Sequence, residues 1–262
     1  MSPPDSGADT RQANAAPSPS ARVGEAPNTR LSAGHYRGCI AADVARIVTL
    51  LEADTARLDL PVPTCPEWRM RDLVRHLGQV HRRVESAIAT GEPPRGVDSG
   101  PPHDRDLVNW LESGAAALLR RLDGDTATAA WSFDPENRTL GFWLRRQAME
   151  NVVHRADAEL TLGMTPTISP ELAADAVSEV VDTMMRLRLN EGRLELPDYS
   201  ITLISDDSAH QWHLGAGAHA GTASGTGTQL VLSLWKRADP AVLIVSGDRP
   251  RVVDLLSRAL TP

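Results

Sequence analysis

Four stretches between residues 35 and 162 repeat apolar side chains at helical spacing, with no strand-like alternation between them. This pattern restricts the chain more than any other feature. The first carries Ile40, Val44, Ile47, Val48 and Leu51 and is stopped by the run Leu60, Pro61, Val62, Pro63. The second carries Met70, Leu73, Leu77, Val80, Val84 and Ile88 before Gly91, Pro93 and Pro94 break it. Thr64 and Glu67 have the spacing of a capping box and put its start near residue 64. The third runs through Leu107, Trp110, Leu111, Ala115, Leu118 and Leu122, and the fourth spans about residues 140–162, ahead of Gly163. Helices of roughly 18–24 residues in this succession fit an antiparallel four-helix bundle.

After residue 165 the character changes. One more helix is expected over residues 170–190, a strand over 200–205 and a partner strand over 211–214. The Gly-, Ala- and Thr-rich run 215–227 reads as a loop, 229–237 as either strand or helix, 241–246 as a buried strand and 250–260 as a closing helix. The expected class is α+β: a tail over residues 1–33, a bundle over 34–165 and a small α+β domain over 166–262. The tail is rich in Pro, Ser, Ala and Gly and nearly without large apolar side chains, so it is expected to be disordered.

Composition narrows the function. No apolar run approaches the roughly 18 residues of a membrane helix. A net charge of −7 provides no broad cationic surface for nucleic acid. Two cysteines, Cys39 and Cys65, exclude a disulfide scaffold, and the absence of an apolar leader in residues 1–33 makes the cytoplasm the expected location. Lys236 stands alone as a lysine among 27 basic residues, a usage that GC-rich coding produces.

The chemistry concentrates on the fourth helix. Trp143, Gln147, Glu150, His154 and Asp157 fall within about 80° of one another at roughly 100° per residue, forming one stripe flanked by Met149, Val153 and Leu160. Glu150 and His154 lie one turn apart and can converge on a single divalent metal. His76, at the edge of the apolar stripe of the second helix, is a candidate third ligand. Two nitrogens and one oxygen leave an open position on tetrahedral zinc, the pattern of catalytic sites, and Asp157 can orient an imidazole. On spacing alone a plain helix-surface pair, worth a few tenths of a kcal/mol, stands ahead of the metal, because E-x-x-x-H pairs are common in helices.

Two strings carry a family resemblance: CPEWRMRDLVRHLGQVHRRVESAI over residues 65–88 and FWLRRQAMENVVHRADAEL over 142–160. They resemble the signature regions of the mycothiol-dependent maleylpyruvate isomerase family, and the likeness extends over nearly all of the chain after residue 34. It implies a DinB-like metal-binding bundle joined to a small C-terminal domain, with zinc or another divalent ion on His76, Glu150 and His154. It also implies mycothiol, the thiol of actinobacteria, as cosubstrate. The thiolate would add to an electron-poor alkene, allow rotation about the resulting single bond and leave. The stretch LVLSLWKRADPAVLIVSGD puts the implied arginine for a substrate carboxylate at Arg237. Lys236 stands where the family usually has glycine, and Met149 where many relatives have histidine; neither touches the ligands, but both leave the substrate open.

Other features read as structural. Cys65 lies at a loop–helix junction, His81 points about 140° from His76 and reads as a surface histidine, and the run GAGAHAGTASGTG matches no phosphate-loop motif. His210, His213 and His219 lack an acidic partner at ligand spacing, and Trp68, Trp110 and Trp143 read as core fillers. The leading expectation is a zinc- and mycothiol-dependent isomerase or S-transferase acting on a small electrophile, without nucleic-acid or membrane partners and with its oligomeric state open. The alternatives are a thiol-independent metal-dependent hydrolase or transferase and a non-enzymatic metal- or thiol-sensing module.

Overall fold

The computed structural model describes residues 24–96 and 98–262. In chain order the main elements are β1 (Gly24–Glu25), α1 (Ala33–Glu52), α2 (Met70–Thr90), α3 (Leu107–Arg121) and α4 (Leu140–Thr161). There follow α5 (Pro170–Glu179), α6 (Met185–Asn190), β2 (Tyr199–Ser205), β3 (Gln211–Gly215), β4 (Ala218–Gly225), α7 (Gly227–Leu234), β5 (Ile244–Gly247) and α8 (Arg249–Ser257). The fold is α+β, with α1–α4 lying in the chain between β1 and the other four strands of a five-stranded sheet of order β1-β3-β2-β4-β5. Within the sheet β2 and β4 run parallel while the other neighbours are antiparallel. Among the described residues no helix is long and apolar enough to cross a membrane.

The four expected helices form, and two of them start at a side chain that satisfies a first-turn N–H group. Ser32 caps α1 and Thr139 caps α4. The second starts later than Thr64 and Glu67 indicate. Residues 61–69 instead close into a compact turn, with an isolated bridge between Pro61 and Arg69 and a hydrogen bond from the Met70 N–H to the Leu60 carbonyl. The Arg69 N–H donates to the Asp72 carboxylate at 2.8 Å, and α2 begins there. Thr64 is thereby released from capping duty.

Helix α2 meets α3 closely because residue 78 has no side chain. A Cβ there would lie 2.2 Å from the Trp110 ring. The buried face formed by Leu73, Leu77, Leu107 and Leu111 seals this contact and fixes the pitch of the helix that carries His76.

Several expectations change. Residues 24–33 do not behave as a tail, while 1–23 lie outside the described residues. Gly24 and Glu25 pair with Leu214 and His213, and the buried Thr29 hydroxyl donates to Asp175 at 3.1 Å and lies 2.8 Å from the Ser178 hydroxyl. These polar anchors replace the apolar content whose lack marked the segment as disordered. The run 218–225 is a strand, not a loop: its small residues at 221, 223 and 225 are buried because α7 and α8 pack down on them, and a Cβ on Gly221 would sit 2.3 Å from the Ser246 carbonyl oxygen. Residues 229–234 resolve as helix within α7. β5 is a sheet edge with Ile244 71% exposed, where a buried strand was expected; nothing covers its outer side among the described residues. The helix expected over 170–190 forms with a π turn at Val180–Met184 linking α5 to α6.

The larger buried cluster runs from Tyr36 on α1 and Val152 on α4 through Val177 to Trp212 and Leu230, crossing residues 165–166 without a break. A buried polar knot reinforces the same junction. Arg145 on α4 pairs with Asp175 at 2.7 Å and Asp182 at 2.8 Å, and the Tyr36 hydroxyl donates to Asp175.

Gly78→Ala is expected to lower stability by about 1–3 kcal/mol through overpacking against Trp110, although alanine is the better helix former. A reduced urea midpoint with an unchanged slope would register it.

Candidate metal centre

Helix α2 presents His76 and α4 presents Glu150 and His154 toward one point. His76 Nε2 lies 3.0 Å from Glu150 Oε1, and His154 Nε2 lies 3.3 Å from the same oxygen. One donor atom from each of the three residues falls within 4.8 Å of the others. A tetrahedral ion with ligand bonds of about 2.0–2.1 Å sets its donors about 3.3 Å apart, so the donor set has both the chemistry and the spacing for a divalent cation. The His76, Glu150 and His154 side chains are 33%, 17% and 8% exposed, opening the cluster on the His76 side.

Each donor is held from behind. His154 Nδ1 is 2.9 Å from Asp157 Oδ2, which fixes the ring and leaves Nε2 facing the cluster. Asp157, fully buried, also receives the Thr64 hydroxyl at 2.6 Å and the Nε and Nη2 of Arg237 at 3.0 Å each. Burial alone would raise the Asp157 pKa, but the hydrogen bonds from His154 and Arg237 bring it down to about 2. Burial would likewise lower His154, and its bonds to Asp157 and Glu150 carry it up to about 9. Glu150 is lowered well below the usual carboxylate range: burial opposes this, and the bonds from His154 and His76 and the charge of Arg146 prevail. Arg146 Nη2 donates to Glu150 Oε2 at 3.1 Å, its Nη1 bonds Glu179, and its guanidinium lies over Trp235. Burial pushes Glu179 up to about 7 against the opposing charges of Arg146 and Arg145.

The cluster borders a cavity of about 590 Å³. Trp68, Trp131, Phe133, Trp143 and Trp235 supply its aromatic walls, and Arg83, Arg146, Arg188, Arg193 and Arg237 its positive charge. Trp68, packed at the edge of the core, also faces the cavity: the turn before α2 lays it across the imidazoles, with ring centroids 4.9 Å from His76 and 6.0 Å from His154.

Arg237, expected to meet a substrate carboxylate, borders this cavity with its Nε and Nη2 on Asp157 and its Nη1 2.7 Å from the Trp235 carbonyl oxygen. It is aimed by the turn after α7, where Lys236 occupies a left-handed backbone position at φ 60°. Glycine suits that conformation best. Here the lysine is secured by its ammonium on the Leu256 carbonyl of α8. Cys65 lies against Arg237, with 3.7 Å from Sγ to Nη2, and is not among the metal donors; burial pushes its thiol up. Arg146, absent from the expected site, stands four residues before Glu150, and that i,i+4 spacing was its visible signal.

His81 corrects the expectation of a surface histidine. It is completely buried, with Nε2 3.1 Å from Asn151 Oδ1, because α4 offers it a polar partner. Burial pushes its pKa down to about 4. The folded state thus keeps it neutral, while the unfolded chain takes up a proton near pH 6.5. Its stabilising contribution is complete above pH 6.5 and is lost as pH falls toward 4. Against His81→Gln, which keeps a donor for Asn151, the wild type is expected to lose about 3 kcal/mol more stability over that interval. Urea unfolding at pH 7 and near pH 4 reads the difference.

A helical bundle with a candidate His-Glu-His donor set beside an α+β half sets the class to which this protein belongs. Residues 38–159 match the family described as the mycothiol maleylpyruvate isomerase N-terminal domain. Two solved structures are similar to the chain over 82% of its length and 93% of theirs, at 14% identity. One is a mycothiol-dependent maleylpyruvate isomerase, with a TM-score of 0.61. The other is a histidine-to-alanine mutant under the same name, with a TM-score of 0.60. At that identity the likeness establishes the shared fold, on both sides of residue 165. No curated protein matches the chain in sequence.

Proposed function

We propose that the chain is a zinc-dependent enzyme of the cytoplasm that uses mycothiol as cosubstrate on an electrophilic small molecule, in cis–trans isomerisation or thiol transfer. The observation that carries this is the convergence of His76, Glu150 and His154 at 3.0–3.3 Å, with His154 locked from behind by Asp157. When bound there, a divalent cation acts as a Lewis acid that keeps a thiol ionised at neutral pH.

The protein groups then have distinct tasks. Arg237 and Thr64 hold Asp157, Asp157 holds the His154 ring, and Arg146 holds the outer oxygen of Glu150, so the donors are set before any ligand arrives. Trp68 and Trp143 restrict water around the cluster. The arginines of the cavity favour an anionic substrate, and Arg237 is the one nearest in structure to the Asp157–His154 pair and meets its carboxylate. Sulfur adds to one carbon of the electron-poor alkene, the new single bond rotates, and elimination of sulfur restores the double bond in the other geometry. In thiol transfer the adduct is kept, and the carbanion left by the addition takes up a proton from solvent.

Purified wild type is expected to hold about one zinc per chain, and His76→Ala and His154→Ala to lose it, read by metal analysis after dialysis. With zinc restored, turnover of activated alkenes should require mycothiol; turnover in thiol-free buffer would instead identify a hydrolase. Asp157→Asn is expected to weaken zinc binding about 10–100-fold, measured by competition with a chromogenic chelator.

A further inference from the structure

The face of α4 that carries Glu150 and His154 carries one more polar side chain, and the metal centre does not use it. Gln147 lines the cavity, is 1% exposed, and its Oε1 has no hydrogen-bond partner among the described residues. Buried amides are rarely left in that condition. The adjacent polar groups are engaged elsewhere: Asn151 bonds His81 and the Gln147 backbone carbonyl, and Arg146 bonds Glu150 and Glu179. The partner for Gln147 therefore belongs in the cavity.

Helix geometry says what that partner looks like. Gln147 precedes Glu150 by one turn, a displacement of about 4.5 Å along the axis, on the same stripe. A ligand with one atom at the meeting point of His76, Glu150 and His154 brings to Gln147 whatever it bears some three or four bonds away. A carboxamide offers one donor and one acceptor and is matched by a group with the same pair, which a secondary amide supplies. We propose that Gln147 is a specificity-determining residue that hydrogen-bonds an acylamino group borne two carbons from the sulfur of the thiol cosubstrate, as in an N-acylated cysteine. This rests on the thiol-dependent function proposed above.

The test compares N-acetylcysteine with 3-mercaptopropionate, the same thiol and carboxylate without the acetamido group. Binding is measured by calorimetry to zinc-loaded wild type, Gln147→Leu and Gln147→Met. Wild type is expected to prefer N-acetylcysteine about tenfold, the effect of one net hydrogen bond. Both variants should lose that preference while keeping zinc content, melting temperature and affinity for 3-mercaptopropionate. A preference that persists in a folded variant, or its absence in wild type, overturns the assignment while leaving the thiol-dependent function standing. If neither thiol binds zinc-loaded wild type, the thiol-dependent function falls and the assignment falls with it. The wild-type comparison requires no variant to fold.

Discussion

A carboxylate buried between two imidazoles and a guanidinium is the constraint around which this molecule is arranged. Glu150 leaves water only because His76, His154 and Arg146 each supply a hydrogen bond or a charge to it. The same demand repeats along α4, on which Arg145, Arg146, Asn151, His154, Arg155, Asp157 and Glu159 are all buried. No single neighbour can satisfy such a helix. Asp43 and Arg46 come from α1, Asp175 and Glu179 from α5, Thr64 from the turn before α2 and Arg237 from the turn after α7. The bundle and the α+β half are thus joined by charge pairing as well as by their shared apolar core.

That arrangement also explains the electrostatics of the centre. In a low-dielectric interior an unpartnered polar group is expensive, and a fully partnered network is rigid. Asp157 is the hub: its two oxygens receive an imidazole, a hydroxyl and a guanidinium from three separate parts of the chain. The His154 ring is consequently oriented by contacts that involve no ligand, and the donor face toward His76 is preset.

Much of this was legible in the sequence where a period or a spacing governs it. The four helices followed from apolar repeats, and the Glu150–His154 pair and its Asp157 support followed from one helical stripe. His76 was a candidate from the edge of the apolar stripe of the second helix, and the family resemblance implied the same residue. What escaped depends on tertiary partners. His81 was assigned to the surface because an angle on α2 does not reveal that Asn151 waits on α4. Residues 218–225 were read as a loop because small side chains mark flexible chain in isolation, whereas here they admit two helices against a strand. Residues 24–33 lacked the apolar content expected of ordered chain, and their order comes from Thr29 and two backbone pairings. The resemblance pointed to Arg237, but its grip on Asp157 could not be read from a position 80 residues away.

The lysine that occupies a left-handed backbone position has a mechanical corollary. A glycine at residue 236 would let the turn after α7 relax freely; the tether from its ammonium to the Leu256 carbonyl fastens that turn to the last helix. Through Arg237, Asp157 and His154 the fastening extends to the donor atoms themselves. A strain applied at the C-terminal helix would be felt at the imidazole, so the end of the chain serves as a strut for its centre.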